Sequence, residues 1–297
     1  MDELVIYLGQ VCNNDCIMCS VDGLKKSDEV SYFEIEKKLV KNSFKETISL
    51  TGGEPTEHSQ IKKIFKKAKE IGYKGVDLSS NGINFSDEKL TKSLANYGLR
   101  TVTVSVHGDK EMHNKIVNKK AYEKVFEGIE NLLKYDVDVQ IDSVLMSLNI
   151  DSLPKLWKDA INAGVQKIGI TDLIPEKEAK KDPEKLMISP KERKEFIDSH
   201  LEVLNKFQLV TFTNFPRCLL PYEMSDNFFH ISTFRKGTQW EFDGLSTSQP
   251  EQSKKKIKIC KKCKFNEECF GFRAKTRELF DLEGIENYLK NSQFLNS

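Results

Sequence analysis

The alternation of short β-rich runs with amphipathic helical segments most limits how this chain can fold. Residues 61–73 and 121–135, for example, place apolar side chains at helical spacing between such runs. Repeated strand–helix alternation predicts a parallel sheet with right-handed crossovers. The predicted strands are Leu4–Leu8, Thr47–Leu50, Gly75–Ser79, Thr101–Val106, Val137–Leu145 and Lys167–Leu173.

The length of the alternating region limits the kind of barrel. A complete eight-fold barrel needs roughly 250 residues, and the alternation here ends near residue 174. We therefore predict an α/β fold, with a partial (β/α)6 TIM-like barrel over residues 1–180 and a small cysteine-rich auxiliary-cluster domain over residues 181–297. The second part is predicted to begin with a helix that has Ser189 as its N-cap and Pro190 in its first turn.

Composition and charge exclude several classes of protein. The 297 residues are 38% hydrophobic and carry a net charge of +1, so the chain has no general attraction for nucleic acids or membranes. It contains no apolar run of about 18 residues and no signal-peptide pattern, so we expect a cytoplasmic protein without a membrane partner. Because the first strand begins near residue 4, no separate N-terminal peptide-recognition domain is expected.

Three of the seven cysteines follow the first strand as Cys12-x3-Cys16-x2-Cys19. An odd number of clustered cysteines in an unexported chain argues against a disulfide framework. A closed zinc site needs four ligands. Three thiolates can instead hold three irons of a cubane and leave the fourth iron open. We therefore expect an iron–sulfur cluster whose last ligand is a cofactor or a substrate.

Polar or glycine-rich segments follow the next three strands. They are TGGEPT at residues 51–56, SSNG at 79–82 and SVHG at 105–108. Each alone is typical of a turn, but catalytic groups of parallel α/β barrels lie at this end of the strands. His107 and His113 could be read as a metal pair, although capping and loop hydrogen bonds explain them more simply. Together with the cysteines, the segments predict an active site at the carboxyl edge of the sheet.

The cysteine spacing, GGEP, SSNG and VSVHG together resemble the motifs of radical S-adenosylmethionine (SAM) enzymes, in that family's strand order over residues 4–174. The resemblance implies a [4Fe-4S] cluster whose open iron is chelated by SAM. It also implies reductive cleavage of SAM to a 5′-deoxyadenosyl radical, which takes a hydrogen atom from a substrate. A low-potential electron donor such as flavodoxin or ferredoxin would then be required.

The resemblance also assigns SAM contacts. Residues 52–54 match the segment that meets the SAM amino group, and Met18 stands where the family usually has an aromatic residue near adenine. Asp142 and Ser143 on strand five are expected to meet the ribose, although the family's glycine-rich pattern is not evident there, and Leu173 and Ile174 are expected to offer their backbone to adenine. The implied SAM-binding residues are Met18, Gly52, Gly53, Glu54, Ser80, Asn81, Ser105, Ser143 and Leu173.

The remaining cysteines are Cys218 and the group Cys260-x2-Cys263-x5-Cys269. Their spacing permits a closed zinc site, but it resembles the SPASM and twitch auxiliary-cluster extensions of the same superfamily. We favour one auxiliary [4Fe-4S] cluster, since Arg273 stands where the full SPASM pattern has its next cysteine. Cys218 is predicted to be the fourth ligand. The alternative is a free thiol that donates a hydrogen atom to a substrate radical.

The sequence does not name the substrate. The auxiliary-cluster domain favours a peptide or protein side chain. The lysine-rich segment 253–264 offers some support for tRNA, although lysines also simply solvate a surface, and a small metabolite is the other alternative. A non-enzymatic iron–sulfur or zinc scaffold is the rival of another class, but a scaffold would have no use for the GGEP segment.

Overall fold

A large parallel sheet organises the chain. The computed structural model describes residues 3–19, 28–175, 177–231, 239–241, 254–269 and 271–295. The strands of the main sheet are β1 (Glu3–Tyr7), β2 (Thr47–Thr51), β3 (Val76–Ser80), β4 (Leu99–Ser105), β5 (Asp138–Leu145), β6 (Lys167–Asp172), β7 (Leu209–Thr213), β8 (Phe228–Ile231) and β9 (Gln239–Glu241). Within the described residues their order is β8-β7-β6-β5-β4-β3-β2-β1-β9.

All neighbouring strands of this sheet run parallel. The six predicted strands are therefore confirmed, with ends that differ by one or two residues. Strands β1 to β8 are also neighbours in chain order, as expected when each crossover leads to the adjacent strand. The α/β partial-barrel prediction is confirmed.

Helices lie between and after the strands. They are α1 (Tyr32–Lys41), α2 (Ile61–Ile71), α3 (Glu88–Asn96), α4 (Lys110–Ile116), α5 (Tyr122–Lys134), α6 (Leu153–Asn162), α7 (Pro183–Leu186), α8 (Pro190–Ser199), α9 (Leu201–Leu204), α10 (Ala274–Leu279) and α11 (Glu283–Lys290). Helix α8 begins as predicted: the Ser189 hydroxyl accepts from the Glu192 N–H, and the Glu192 carboxylate accepts from the Ser189 N–H. None of the described helices is long and apolar enough to cross a bilayer.

The sheet continues beyond the six predicted strands. Strands β7 and β8 extend it, and β9 pairs with β1 at the other edge. Sequence patterning misses this extension because the connection between β7 and β8 contains a short 3-10 turn (Arg217–Leu219) in place of an amphipathic helix. The sheet thus has strands on both sides of residue 180, and the division at that residue stays a prediction.

The C-terminal part contains a small second sheet and the last two helices. Strands β10 (Lys254–Lys255) and β11 (Phe272–Arg273) pair antiparallel. This pairing brackets the segment that contains Cys260, Cys263 and Cys269. The chain end covers the same segment, because the Lys264 N–H donates to the carbonyl oxygen of the buried Phe294 at 2.8 Å.

Residues along each strand alternate between two environments. On β5, Ile141 and Leu145 are buried against the helices, whereas Gln140 and Asp142 face the interior of the partial barrel, the lumen. A cavity of about 500 Å³ fills the amino-terminal half of this lumen, and Gln140 is part of its lining. The carboxyl half lies beside the cysteine loop.

A buried ion pair attaches α8 to the sheet. Arg193 Nη1 lies 2.5 Å from Asp172 Oδ1, and the two side chains are 2% and 6% exposed. We predict that Asp172→Ala lowers the free energy of unfolding by about 3–5 kcal/mol, since it leaves a buried charge uncompensated. Urea denaturation measures this change. The control Asp182→Ala breaks an exposed pair with Lys185 and should have a far smaller effect; equal effects would refute the prediction.

Candidate active site

The cysteine loop (residues 12–19) leaves the carboxyl end of β1 and lies against α4. The Ile17 N–H donates to the Ile116 carbonyl oxygen at 3.1 Å, and the Asp15 N–H donates to the Val117 carbonyl oxygen at 3.3 Å. These two backbone hydrogen bonds hold the loop against the end of that helix. Nothing in the sequence pattern indicated this clamp, because it joins segments about a hundred residues apart.

The loop brings three thiols together. Burial is the main cause that raises the pKa of Cys12 to about 11 and that of Cys16 to about 12. Cys19 raises the pKa of both thiols further, and Cys12 raises that of Cys16. None of the three is in a disulfide. Bare thiolates are disfavoured in such a pocket, whereas metal coordination deprotonates a thiol outright. This soft donor set fits an iron–sulfur cluster.

A single-ion site is a separate matter. In the part of the chain that the structure describes, no three His, Cys, Asp or Glu side chains are placed to hold one metal ion. The thiolates of a cubane bind different iron atoms. A cluster therefore does not require its ligands to converge on one point.

Two glycines let the end of β2 pack directly on the segment that leads into the loop. A Cβ on Gly53 would lie 2.3 Å from the Val11 carbonyl oxygen, and one on Gly52, at φ +151°, would lie 2.6 Å from the Gly9 carbonyl oxygen. The Gly53 N–H donates to Gly9, and the Glu54 N–H donates to Val11. The glycines therefore allow a close backbone approach, and the approach observed is to the chain itself.

The Glu54 side chain turns inward and joins β2 to β3. Its carboxylate is 2% exposed and accepts from the Ser80 hydroxyl at 2.8 Å, from the Asn81 N–H at 2.6 Å and from both donors of Thr56. Burial raises the pKa of Glu54, and these hydrogen bonds oppose the rise. The Ser80 side chain, 3% exposed, also lies on this inward side. Glu54 and Ser80 thus lie together at the carboxyl edge of the sheet. The contacts of both residues with SAM stay predictions.

A network of amides continues from Asn81 to the cysteine loop. Asn81 Nδ2 donates to Asn13 Oδ1 at 2.6 Å and lies 3.9 Å from Cys12 Sγ. Asn13 and Asn84 in turn donate to the Glu57 carboxylate at 2.9 and 2.6 Å. Sequence reasoning missed Asn13, Glu57 and Asn84, although all three flank motifs that it had recognised.

Two residues assigned to adenine share an apolar cluster near the loop. Met18 and Leu173 are 8% and 3% exposed and belong to one group of buried side chains. The other members are Ile116, Met146, Ala179, Leu186 and Met187. An apolar surface of this kind suits a flat aromatic ring.

Strand alternation separates the two candidates for the ribose. The Ser143 side chain is fully buried on the helix-facing side and its hydroxyl donates to the Val106 carbonyl oxygen. Asp142 faces the lumen and is paired in register with Ser105 of β4. Ser143 therefore points away from the lumen, whereas its neighbour Asp142 points into it, and the ribose contact stays a prediction.

The Asp142 carboxylate lies in a recess of the lumen wall. Burial raises its pKa to about 6, although Thr171 Oγ1 donates to both carboxylate oxygens at 3.0 and 3.1 Å. Room for the carboxylate comes from Gly169 on β6, where a Cβ would lie 2.2 Å from Asp142 Oδ1. Asp142 and Thr171 therefore make the lumen wall polar beside the candidate SAM site.

The buried histidines near the end of β4 are occupied by loop hydrogen bonds. His107 Nδ1 accepts from the Val144 N–H, and His113 Nδ1 accepts from the His107 N–H, both at 3.3 Å. Burial lowers the pKa of His107 to about 3 and that of His113 to about 4. Both rings are therefore neutral and structural.

The structure also brings the four remaining cysteines together. Burial raises the pKa of Cys218 well above its usual range, and Cys269, Cys260 and Cys263 each add to this rise. Cys269 Sγ accepts from the N–H groups of Arg217 and Gly271, both at 3.4 Å. The proximity of Cys218 to the other three thiols favours a ligand role. No three of these side chains are placed around one ion in the described residues, so the arrangement does not favour zinc.

A second cavity, of about 580 Å³, lies where the loop after β6 meets helix α10. Its lining carries charges of both signs, from Lys180, Lys275, Arg273, Glu184 and Glu278. The volume falls within the range of small-molecule sites. Sequence reasoning missed this cavity because its two walls are far apart in the chain.

We predict that Gly53→Ala destabilises the fold by about 1–3 kcal/mol, because its Cβ meets backbone atoms that cannot rotate away. The matched control is Gly284→Ala in α11, where a Cβ meets nothing within 4 Å. That change should stabilise the helix by roughly 0.5–1 kcal/mol. Thermal unfolding of both variants measures the difference, and equal behaviour would contradict the proposed packing role of Gly53.

Comparison with known proteins agrees with this geometry. The family model of the Radical SAM superfamily matches residues 6–160. A curated relative, the probable GTP 3′,8-cyclase of Sulfurisphaera tokodaii, is 31% identical over 180 residues, which cover 59% of this chain and 57% of that protein. The chain thus spans somewhat more than half the length of this relative.

Solved structures share the fold. Streptococcus suis SuiB bound to its precursor peptide SuiA matches with a TM-score of 0.60 at 14% identity, over 78% of this chain and 49% of that one. A structure of anSMEcpe with bound AdoMet and a peptide matches with a TM-score of 0.59 at 19% identity, over 70% and 62% of the two chains. At these identities the likeness concerns the fold alone.

Proposed function

This chain belongs to the radical SAM superfamily, and we propose that Cys12, Cys16 and Cys19 hold the [4Fe-4S] cluster at which it cleaves SAM. The chemistry supplied there is one-electron cleavage of SAM to methionine and a 5′-deoxyadenosyl radical, which abstracts a hydrogen atom from the substrate. One observation carries the proposal: three partly buried thiols meet on a loop that β2 and α4 hold at the carboxyl edge of the sheet. An external low-potential donor, such as flavodoxin or ferredoxin, supplies the electron.

The surrounding residues have distinct roles in this proposal. The cluster of Met18 and Leu173 receives the adenine ring and keeps water from it. Asp142, in place of the predicted Ser143, accepts hydrogen bonds from the ribose beside Ser105. Gly52, Gly53 and Glu54 hold the cysteine loop and the β3 end in register, with their backbone near the SAM amino group. Ser80 and Asn81 support this arrangement through Glu54 and Asn13.

For the substrate we propose a small polar metabolite of the nucleotide class. Support comes from the curated relative, whose printed name states a GTP 3′,8-cyclase. The cavity of about 580 Å³ beside the end of β6 adds a site of suitable size, and its lining includes the basic side chains Lys180, Arg273 and Lys275. A small metabolite is the alternative substrate in the sequence-based prediction, which favours a peptide.

A peptide or protein side chain is the second candidate. Its support is the extent of the backbone match to SuiB, which reaches 78% of this chain. The same match is the support for a SPASM- or twitch-like C-terminal part with one auxiliary [4Fe-4S] cluster on Cys218, Cys260, Cys263 and Cys269. Zinc remains the rival occupant of that site.

GTP is the probe that separates the two substrate classes. We would reconstitute the full chain anaerobically, add SAM and dithionite, and follow 5′-deoxyadenosine and GTP by mass spectrometry. A nucleotide substrate should accelerate 5′-deoxyadenosine formation and be consumed with it. If 5′-deoxyadenosine forms while GTP neither binds nor changes, the substrate assignment moves to the peptide class.

We predict that Cys16→Ala abolishes 5′-deoxyadenosine formation, since two thiolates cannot hold the three irons that leave one open for SAM. The matched control is Ile17→Ala in the same loop, because that side chain is 36% exposed and lies outside the thiol group. The control should retain its iron content and activity. Cleavage of SAM that survives in Cys16→Ala would refute the cluster assignment.

A second variant tests the role of Cys218. In a chain with Cys12, Cys16 and Cys19 all changed to alanine, we expect about four irons at the auxiliary site. Adding Cys218→Ala should lower this iron content, because it removes a ligand. Unchanged iron, with loss of substrate conversion when Cys218→Ala is made alone in the otherwise intact enzyme, would identify Cys218 as a hydrogen-atom donor.

A further inference from the structure

Arg217, the residue before Cys218, has a charged side chain that is buried in the fold. Only 7% of it is exposed. A buried guanidinium costs free energy unless its charge and its N–H groups are compensated. Arg193, another buried arginine, has a carboxylate partner in Asp172. The compensation of Arg217 is different.

Neutral groups hold the Arg217 guanidinium in place. Nη1 donates to the Pro221 carbonyl oxygen at 2.6 Å, and Nη2 donates to the Tyr222 carbonyl oxygen at 2.7 Å. The guanidinium carbon lies 4.4 Å from the centroid of the Phe265 ring and 5.6 Å from that of Phe294. These contacts fix the orientation of the cation but supply no negative charge.

Metal binding would make the cysteine group a source of negative charge beside Arg217, because coordination deprotonates the thiols. Burial lowers the pKa of Arg217, and the groups that raise it again are, in decreasing order, Cys218, Cys269, Glu268 and Cys263. Arginine stays protonated in proteins, so the cation is permanent. The largest of these influences thus come from thiols of the proposed auxiliary site together with Glu268.

A fixed positive charge affects a redox cluster in one direction. Reduction adds an electron to a core that its thiolates already make negative, and a nearby cation stabilises the reduced state more than the oxidised one. Hydrogen bonds to the sulfur ligands act in the same sense. The backbone N–H of Arg217 supplies one of these bonds, to Cys269 Sγ.

We propose that Arg217 is the built-in counter-charge of the four-cysteine site and raises the reduction potential of the auxiliary cluster bound there. This inference rests on the auxiliary cluster of the proposed function, and not on the SAM chemistry of the first cluster. Arg217 is a positioning and tuning residue, since it acts through the cluster and its ligands.

The test is a redox titration of the full chain with Cys12, Cys16 and Cys19 changed to alanine, so that only the auxiliary site is observed. We expect Arg217→Gln to lower the ratio of reduced to oxidised cluster at least tenfold at a fixed potential, which is 59 mV for one electron. Arg217→Lys keeps the charge and should shift the ratio less. Electron paramagnetic resonance of the reduced cluster gives the readout.

Arg100→Gln is the matched control. It removes the same charge, but Arg100 lies at the amino end of β4 and pairs with Asp77. An equal shift in this variant, or no shift in Arg217→Gln, overturns the proposal. Zinc without iron at the site also overturns it. If Arg217→Gln binds no iron, the proposal requires Arg217→Lys to retain iron, and loss of iron in both variants would overturn it.

The titration is independent of the first cluster. Formation of 5′-deoxyadenosine by the unmutated chain is measured separately. A titration that shows the shift together with a chain that never cleaves SAM would uphold the role of Arg217 and refute the proposed enzyme function.

Discussion

The contact between the turn after β2 and the segment before the cysteine loop is the constraint on which the candidate site depends. Two backbones lie against each other there, with Gly53 above Val11 and no room for a Cβ. Backbone atoms cannot move aside as a side chain can, so the contact fixes the height of the loop over the sheet. Glu54, the next residue, carries that position to β3 through Ser80.

The candidate site is therefore assembled by the ends of β1, β2 and β3, which hold one another in place. Several polar groups that the family resemblance directs at SAM are engaged first with the protein. Such internal hydrogen bonds hold the backbone in a shape that a ligand can meet without reorganisation, which is how rigid sites gain affinity. The lumen wall is built in a similar way: Gly169 has no side chain, and this leaves space for the Asp142 carboxylate.

Local patterns predicted the first six strands and the cysteine loop because their signals lie within a few residues. The same reasoning failed where the decisive contact was distant or depended on strand parity. Ser143 and Asp142 are adjacent in sequence, yet one faces the helices and the other the lumen, and a polar residue type does not reveal which. Strands β7 and β8 were missed because the connection between them has no amphipathic helix to mark it.

The two cysteine groups differ in how far along the chain the residues that form and support them extend. Cys12 to Cys19 lie on one loop, supported by segments that end near residue 117. The second group joins Cys218, on the connection between two strands of the main sheet, to a segment that ends at Cys269. During synthesis the first loop and its supports emerge early, whereas the second group is complete only after residue 269 has left the ribosome. The second group is thus assembled later in synthesis than the first, and it joins the C-terminal segment to the connection between β7 and β8.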